Sequence, residues 1–241
     1  MEIPNNTAGR LLSILNEVKS QKPSTNAEVS WGEILDVPKG NRPLLLRRLG
    51  LVLDLPFQIE KQIKSISEID DRPYLKWRGS VIQTFRQINL AGPIKAFQDQ
   101  LKAEALYGLE ICAEVLSRHF PDPIPDPNEL ESIDQEITNL MDYITESSLP
   151  PDIKSFLFER LDELHVAIID YRFGGVTPIV RTVESTYGSI ITSREVYEKA
   201  RQDSEVHERF WSVMHKTASV ASVSGGVGII TEKVLKLLGA N

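Results

Sequence analysis

The chain has 241 residues, of which 41% are hydrophobic and 25% are charged, and its formal net charge is −7. This globular composition supports one large domain or two small ones and excludes a chain that is disordered throughout. The single cysteine, Cys112, cannot form an internal disulfide, and no run of about 18 uncharged apolar residues predicts a membrane-spanning helix. Because the N-terminus also lacks a signal-peptide pattern, the sequence predicts a cytoplasmic protein.

Helical patterns begin at the N-terminus. Thr7 is a candidate N-cap for the first helix, and Ser30 with Glu33 has the spacing of a capping box. Apolar residues keep helical spacing over 44–66, where Pro56 is expected to kink or split the helix.

A proline-rich segment divides the chain. Helical spacing recurs over 73–88 and 93–115, and residues 119–128 then contain four prolines in ten positions. So many prolines exclude a helix or a central strand, which predicts a linker between an N-terminal helical region, 1–118, and a C-terminal helical region, 129–241.

The C-terminal region begins with two amphipathic patterns joined by a short turn, which predicts an antiparallel helical hairpin over 129–171. Further helical patterns lead to an apolar tail over 217–241. No run of alternating β-branched residues predicts a strand. The fold class is therefore predicted to be all-α, a multi-helix bundle of about ten helices whose two regions could pack as one domain.

Acidic residues are concentrated in one fifth of the chain. Residues 121–170 hold 13 Asp and Glu against 2 Lys and Arg, whereas residues 1–120 and 171–241 each carry a net charge of +2. Such a segment can bind a basic partner, pack near the basic stretch 72–98, or form a solubilising surface. The candidate binding residues are Asp134, Glu136, Asp142, Glu159, Asp162 and Glu163.

The apolar tail offers a second candidate binding segment. Residues 217–231 carry no charge and are rich in Gly, Ser and Ala. This run could cover a groove on a partner, lie on a membrane surface, or pack onto its own bundle. The candidate contact residues are Val223, Val227, Ile229 and Ile230.

Three Arg–His pairs have the spacing of a motif in HEPN ribonucleases, an Arg followed after four to six residues by His. They are Arg160–His165, Arg201–His207 and Arg209–His215. In such an enzyme Arg stabilises a phosphorane-like charge while His moves the proton of the 2′-hydroxyl. His165 flanks an apolar stripe, where a structural role is the simpler interpretation. Arg201, His207, Arg209 and His215 are therefore the catalytic candidates.

These features favour a non-enzymatic protein-interaction or regulatory protein that binds a partner protein through the acidic hairpin and the apolar C-terminus. A bacterial accessory or immunity-type factor is one form of this class. The alternatives are a membrane-acting effector that uses the C-terminal segment and a HEPN-like metal-independent ribonuclease. No motif predicts a metal or cofactor, the acidic segment disfavours nucleic acid, and homo-oligomerisation is left open.

Overall fold

A computed structural model of the chain describes residues 5–120, 126–193 and 198–222. Within these residues the protein has 12 helices, nine of them with seven or more residues, and no β-strand. The all-α fold class predicted from the sequence is confirmed. The chain forms two compact units, Met1–Asp122 and Pro123–Asn241.

The first unit is built around its first helix. Helix α1 contacts α2, α3 and α7, and its residues Leu11, Leu15 and Val18 are fully buried. The helices of this unit are α1 Thr7–Ser20, α2 Ala27–Ile34, α3 Arg42–Ser65, α4 Asp71–Tyr74, α5 Arg78–Arg86, α6 Lys95–Gln100 and α7 Ala103–His119.

The first two helices are capped by asparagines, so the predicted caps are wrong. Asn6, not Thr7, is the N-cap of α1, and its side-chain oxygen accepts hydrogen bonds from the backbone N–H groups of Ala8 and Gly9. Asn26 is the N-cap of α2, and Ser30 lies buried inside that helix. Asparagine is as good an N-cap as serine or threonine, so residue type alone does not decide between neighbouring candidates.

Helix α3 runs unbroken from Arg42 to Ser65, so Pro56 does not split it. Proline lacks the N–H that would bond four residues back, which normally weakens a helix. Here Pro56 is buried on the core side of α3, next in sequence to Leu55, which is fully buried. Burial of this apolar face offsets the missing hydrogen bond.

The second unit is a four-helix bundle. Helix α8 packs against α9 and α12, and α11 packs against the same two helices, which closes a ring of four neighbours. Its helices are α8 Pro127–Glu146, α9 Pro151–Ile169, α10 Tyr171–Gly174, α11 Val176–Thr192 and α12 Ser204–Ser222.

The bundle core is apolar and continuous. Each long helix turns one stripe inward, exemplified by Ile137, Leu161, Tyr187 and Met214, which are all almost fully buried. Full burial of such a side chain stabilises by about 1.5–3 kcal/mol, so this core holds the four helices in register.

A glycine turn reverses the chain between α9 and α11. Gly175 has φ 66° and ψ −158°, a conformation that only glycine adopts without strain. A Cβ at Gly174 would lie 2.7 Å from Pro178 Cγ. Both positions therefore require glycine, and the turn directs α11 back along α9.

Candidate functional site

The acidic segment forms an antiparallel hairpin of α8 and α9. His165 Nδ1 lies 2.5 Å from Asp134 Oδ1, and Lys154 Nζ donates to the Thr145 carbonyl at 2.8 Å. The sequence numbers of these two contacting pairs have the same sum, which is the signature of antiparallel neighbours. The carboxylates of the two helices therefore lie side by side on one surface of the bundle.

We define the acidic face as the exposed carboxylates on the sides of α8 and α9 that point away from the core. On α8 these carboxylates lie about 180° around the helix from the buried stripe that includes Ile137 and Leu140, so they face away from the core. The members of the acidic face are Glu131, Asp142, Glu146, Asp152, Glu159 and Asp162.

The other predicted binding carboxylates take part in contacts within the bundle. Asp134 pairs with His165 as described, and Glu136 Oε1 accepts from Lys216 Nζ of α12 at 2.5 Å. Glu163 Oε2 lies 3.0 Å from Arg160 Nη1. These three residues join helices or hold a buried cation. Glu159 also contacts Arg160, at 2.8 Å, but its side chain is 65% exposed, so the exposed binding candidates are Asp142, Glu159 and Asp162.

Both cations of the hairpin form contacts within the bundle. Arg160 is buried, and its guanidinium contacts Glu159, Glu163 and, at 3.4 Å, Ser189 Oγ of α11. Lys154 is half-buried and donates to a backbone carbonyl. Because Arg160 is buried and the Lys154 ammonium is bonded to the backbone of α8, exposed carboxylates outnumber exposed cations on the hairpin, which gives the acidic face a negative potential.

The pair Arg160 and His165 does not form a catalytic grouping. Arg160 points toward Ser189 of α11, whereas His165 points toward Asp134 of α8. Both side chains are bound to acidic or hydroxyl groups on different sides of α9. An Arg that already contacts two carboxylates is a poor receptor for a phosphate.

His207 and His215 flank one tryptophan on α12. The Trp211 indole N–H donates to His207 Nε2 at 3.1 Å, and the rings of Trp211 and His215 lie edge to face with centroids 6.1 Å apart. Trp211 in turn stacks on Tyr187 of α11, with centroids 5.8 Å apart. The two histidines therefore lie on the side of α12 that faces α11.

The pKa of His207 lies below its ordinary value, first because of burial and second because of the positive charge of Arg201. This ring accepts the Trp211 hydrogen bond in its neutral form. The cavity beside it, lined by Phe156, Ile190 and neighbouring apolar side chains, has a volume of about 10 Å³. That space is about the size of one water molecule and admits no nucleotide.

Arg209 lies on a different side of α12 from His215. Its guanidinium pairs with Glu205 and stands over the ring of Tyr143 on α8, 4.6 Å from the ring centroid. The Tyr143 hydroxyl donates to Glu205 at 2.8 Å, and this bond raises the pKa of Tyr143 and lowers that of Glu205. The contacts join α12 to α8 and leave the predicted pair Arg209–His215 apart.

The predicted tail begins inside α12. Thr217, Ala218 and Val220 are buried, and Thr217 Oγ1 donates to the Val213 carbonyl at 2.8 Å. Along the described stretches of the chain, none of the helices combines the length and apolarity needed to cross a membrane. The candidate residues Val223, Val227, Ile229 and Ile230 lie outside the described residues.

A groove in the first unit was not predicted from the sequence. It lies between α2 and the 37–42 segment, has a volume of about 550 Å³, and is lined mainly by apolar atoms that include Val29, Val37 and Pro38. Glu28 and Arg42 pair across its rim at 2.9 Å. The sequence indicates only that a loop precedes α3. The groove itself depends on the packing of α2 against α3, which is a tertiary contact.

No protein-family model, no curated protein and no solved structure matches this chain. In residues 5–120, 126–193 and 198–222 there is also no group of three or more His, Cys, Asp or Glu side chains that could hold a metal ion.

Proposed function

We propose that this chain is a non-enzymatic interaction or regulatory protein that binds a basic protein partner through the acidic face of its four-helix bundle. The observation that supports this is the separation of charge in the hairpin. The carboxylates of the acidic face are exposed, whereas Arg160 is buried against Ser189 of α11 and the Lys154 ammonium is bonded to the Thr145 carbonyl. A surface built in this way attracts cations over a distance and repels acidic proteins.

The chemistry of the partner follows from the same surface. Carboxylates on two adjacent helices form a flat, rigid array that matches a Lys- and Arg-rich surface or helix. The association should weaken as ionic strength rises, because exposed charges are screened over about 8 Å at physiological salt. Arginine fits best, since it can bind two carboxylate oxygens at once.

The ribonuclease and membrane-effector hypotheses stay as alternatives. Among the ribonuclease candidates, Arg209 contacts Glu205 and Tyr143, and both His207 and His215 contact Trp211. Arg201 lies close enough to His207 for its positive charge to lower the pKa of that ring. The membrane hypothesis depends on the segment that follows Ser222. Neither alternative is supported by a feature comparable to the acidic face.

The proposal is tested by recovery of partners from native-host lysate at low and high salt. The protein is compared with D142K/D162K and with a control, E184K/E208K, which reverses two exposed carboxylates on α11 and α12. A partner retained by the control should lose at least about tenfold in affinity for D142K/D162K, because two like-charge contacts cost more than about 1.4 kcal/mol. Equal recovery by both variants contradicts the proposal.

The contribution of the C-terminus to binding is tested by truncation after Ser222. The uncharged run begins at residue 217, but that position is not a suitable truncation point. Deletion from residue 217 would remove Thr217, Ala218 and Val220 from the bundle core. A truncation after Ser222 keeps all of α12. If this shorter chain retains its fold and loses the partner, residues 223–241 take part in binding, and if it keeps the partner the acidic face is sufficient.

A further inference from the structure

A second apolar stripe runs along the solvent side of α3. Leu46, Gly50, Leu53 and Phe57 are spaced by four, three and four residues, which places them within a sector of about 60° on the helix. Leu46 is 50% exposed and Phe57 is 49% exposed, although both are large and apolar. The stripe lies away from the core side of α3, which carries Leu55.

The spacing of the stripe is that of packed helices. Intervals of four and three residues bring side chains to one seam, where they can insert between those of another helix. The stripe spans about 16 Å, which is three turns of helix. Scattered apolar residues on a surface need no explanation, but an ordered row on one helix face indicates a contact.

We propose that this stripe pairs with the same stripe of a second copy of the chain, with the two α3 helices antiparallel. The order of intervals reads the same in both directions, so an antiparallel copy places Leu46 opposite the partner's Phe57. It also places Gly50 opposite the partner's Leu53. Isologous contacts of this kind close into a dimer, because each residue is matched twice.

Gly50 provides the space that this pairing needs. It is exposed in the middle of α3, and apart from its chain neighbours and the adjacent helix backbone no atom lies within 4 Å of the position where a Cβ would stand. A glycine at an exposed helix position costs about 1 kcal/mol relative to alanine. In the dimer, the partner's Leu53 packs directly on the backbone at Gly50, so a large residue meets a small one.

The charges beside the stripe are complementary in the antiparallel arrangement. Arg47 and Asp54, which both also have contacts within their own chain, are exposed on one flank of α3, seven residues apart. The two-fold brings Arg47 near the partner's Asp54, and Asp54 near the partner's Arg47. On the other flank Arg42 is paired with Glu28 at 2.9 Å. A parallel pair would place each flank of α3 against the opposite flank of the partner helix and would lose this match.

The dimer is expected to be weak. One pair of helices buries less area than a standard interface of about 1,600 Å², which is typical of weak, transient contacts, and we expect a dissociation constant in the micromolar range. The surface lies in the first unit, so this inference is independent of the acidic face.

Sedimentation of the full chain from about 1 to 500 µM brackets such a constant and should show a monomer–dimer equilibrium. L46D, G50L and F57D should each weaken dimerisation at least about tenfold with unchanged helical circular dichroism. The control I191D changes an apolar side chain of similar exposure, 47%, on α11 and should leave the equilibrium unaltered. A chain that is monomeric at every concentration overturns the proposal. This holds even if another protein is found to bind the stripe. So does a dimer that resists all three variants.

The orientation is tested by oxidising an equal mixture of L46C and F57C proteins. The native Cys112 is buried and does not compete. Antiparallel helices bring residue 46 next to the partner's residue 57, so the mixed disulfide should predominate. Predominance of disulfides between identical variants would show parallel helices and would contradict the inferred pairing.

Discussion

Reversal of two charges on the acidic face should stabilise the bundle while it weakens partner binding. In the variant D142K/D162K, the change at Asp142 converts a repulsive i,i+4 pair with Glu146 into an attractive pair. The change at Asp162 does the same for the i,i+3 pair with Glu159. Each conversion removes one unfavourable and adds one favourable contact, at about 0.2–0.5 kcal/mol for each.

The two conversions together should therefore stabilise the bundle by about 1–2 kcal/mol. The lysine at position 142 adds a small further stabilisation, because a cation near the C-terminal end of α8 interacts favourably with the helix dipole. A gain of about 1 kcal/mol raises the melting temperature of a bundle of this size by roughly 3–6 °C. Thermal unfolding followed by circular dichroism at about 20 mM salt measures it, and the gain should shrink at about 0.5 M salt through screening. A loss of stability would refute the reasoning, because it would mean that these carboxylates hold the fold together.

Three other predictions concern the interior of the two units. The Cys112 thiol accepts from Trp77 Nε1 at 3.1 Å and donates to the Tyr74 carbonyl at 2.9 Å, and burial raises its pKa to about 11. It should resist a thiol reagent at pH 8 until the protein unfolds, and rapid labelling of the native protein would contradict this. Because the pKa of His207 is lowered in the folded state, its contribution to stability is present above its unfolded value and is lost as pH falls through the folded value. Melting temperatures at pH 7.5 and 5 should differ less for H207Q than for the unaltered protein. G175A should destabilise by about 1–3 kcal/mol in denaturant titrations, because alanine is strained at this backbone conformation, whereas G188A on the exposed side of α11 should not destabilise.

The helices could be predicted from the sequence because each depends on local order. Apolar residues at helical spacing, such as Leu11, Leu15 and Val18 of α1, are buried in the structure as periodicity requires. Capping residues were harder to predict, because Asn6 and Thr7 are both good N-caps and only backbone geometry selects Asn6. A proline inside a helix usually weakens it, which predicted a kink or break at Pro56. In α3 the burial of Pro56 in the core keeps the helix continuous.

The acidic surface could be predicted only as a charge-rich segment. Which carboxylates stay exposed depends on the neighbouring helices, since Lys216 of α12 binds Glu136 and His165 of α9 binds Asp134. These partners lie far apart in sequence or on facing helices. The spacing of Arg and His along α12 likewise contained no information about Tyr143, which binds Arg209 from α8. Contacts between helices that are distant in sequence therefore determine which of the predicted binding and catalytic residues have structural roles and which stay exposed.

The most direct test of the central claim is site-specific photo-crosslinking in native-host cells. A photoreactive residue replaces Thr138, which is exposed on the outward side of α8, or Ser185, which is exposed on α11 as a matched control. The account predicts a crosslinked protein from position 138 and not from 185, with a Lys- and Arg-rich surface at the site of attachment. The crosslink should also disappear in D142K/D162K. Crosslinks that arise equally from both positions, or that persist after charge reversal, would contradict a binding function for the acidic face.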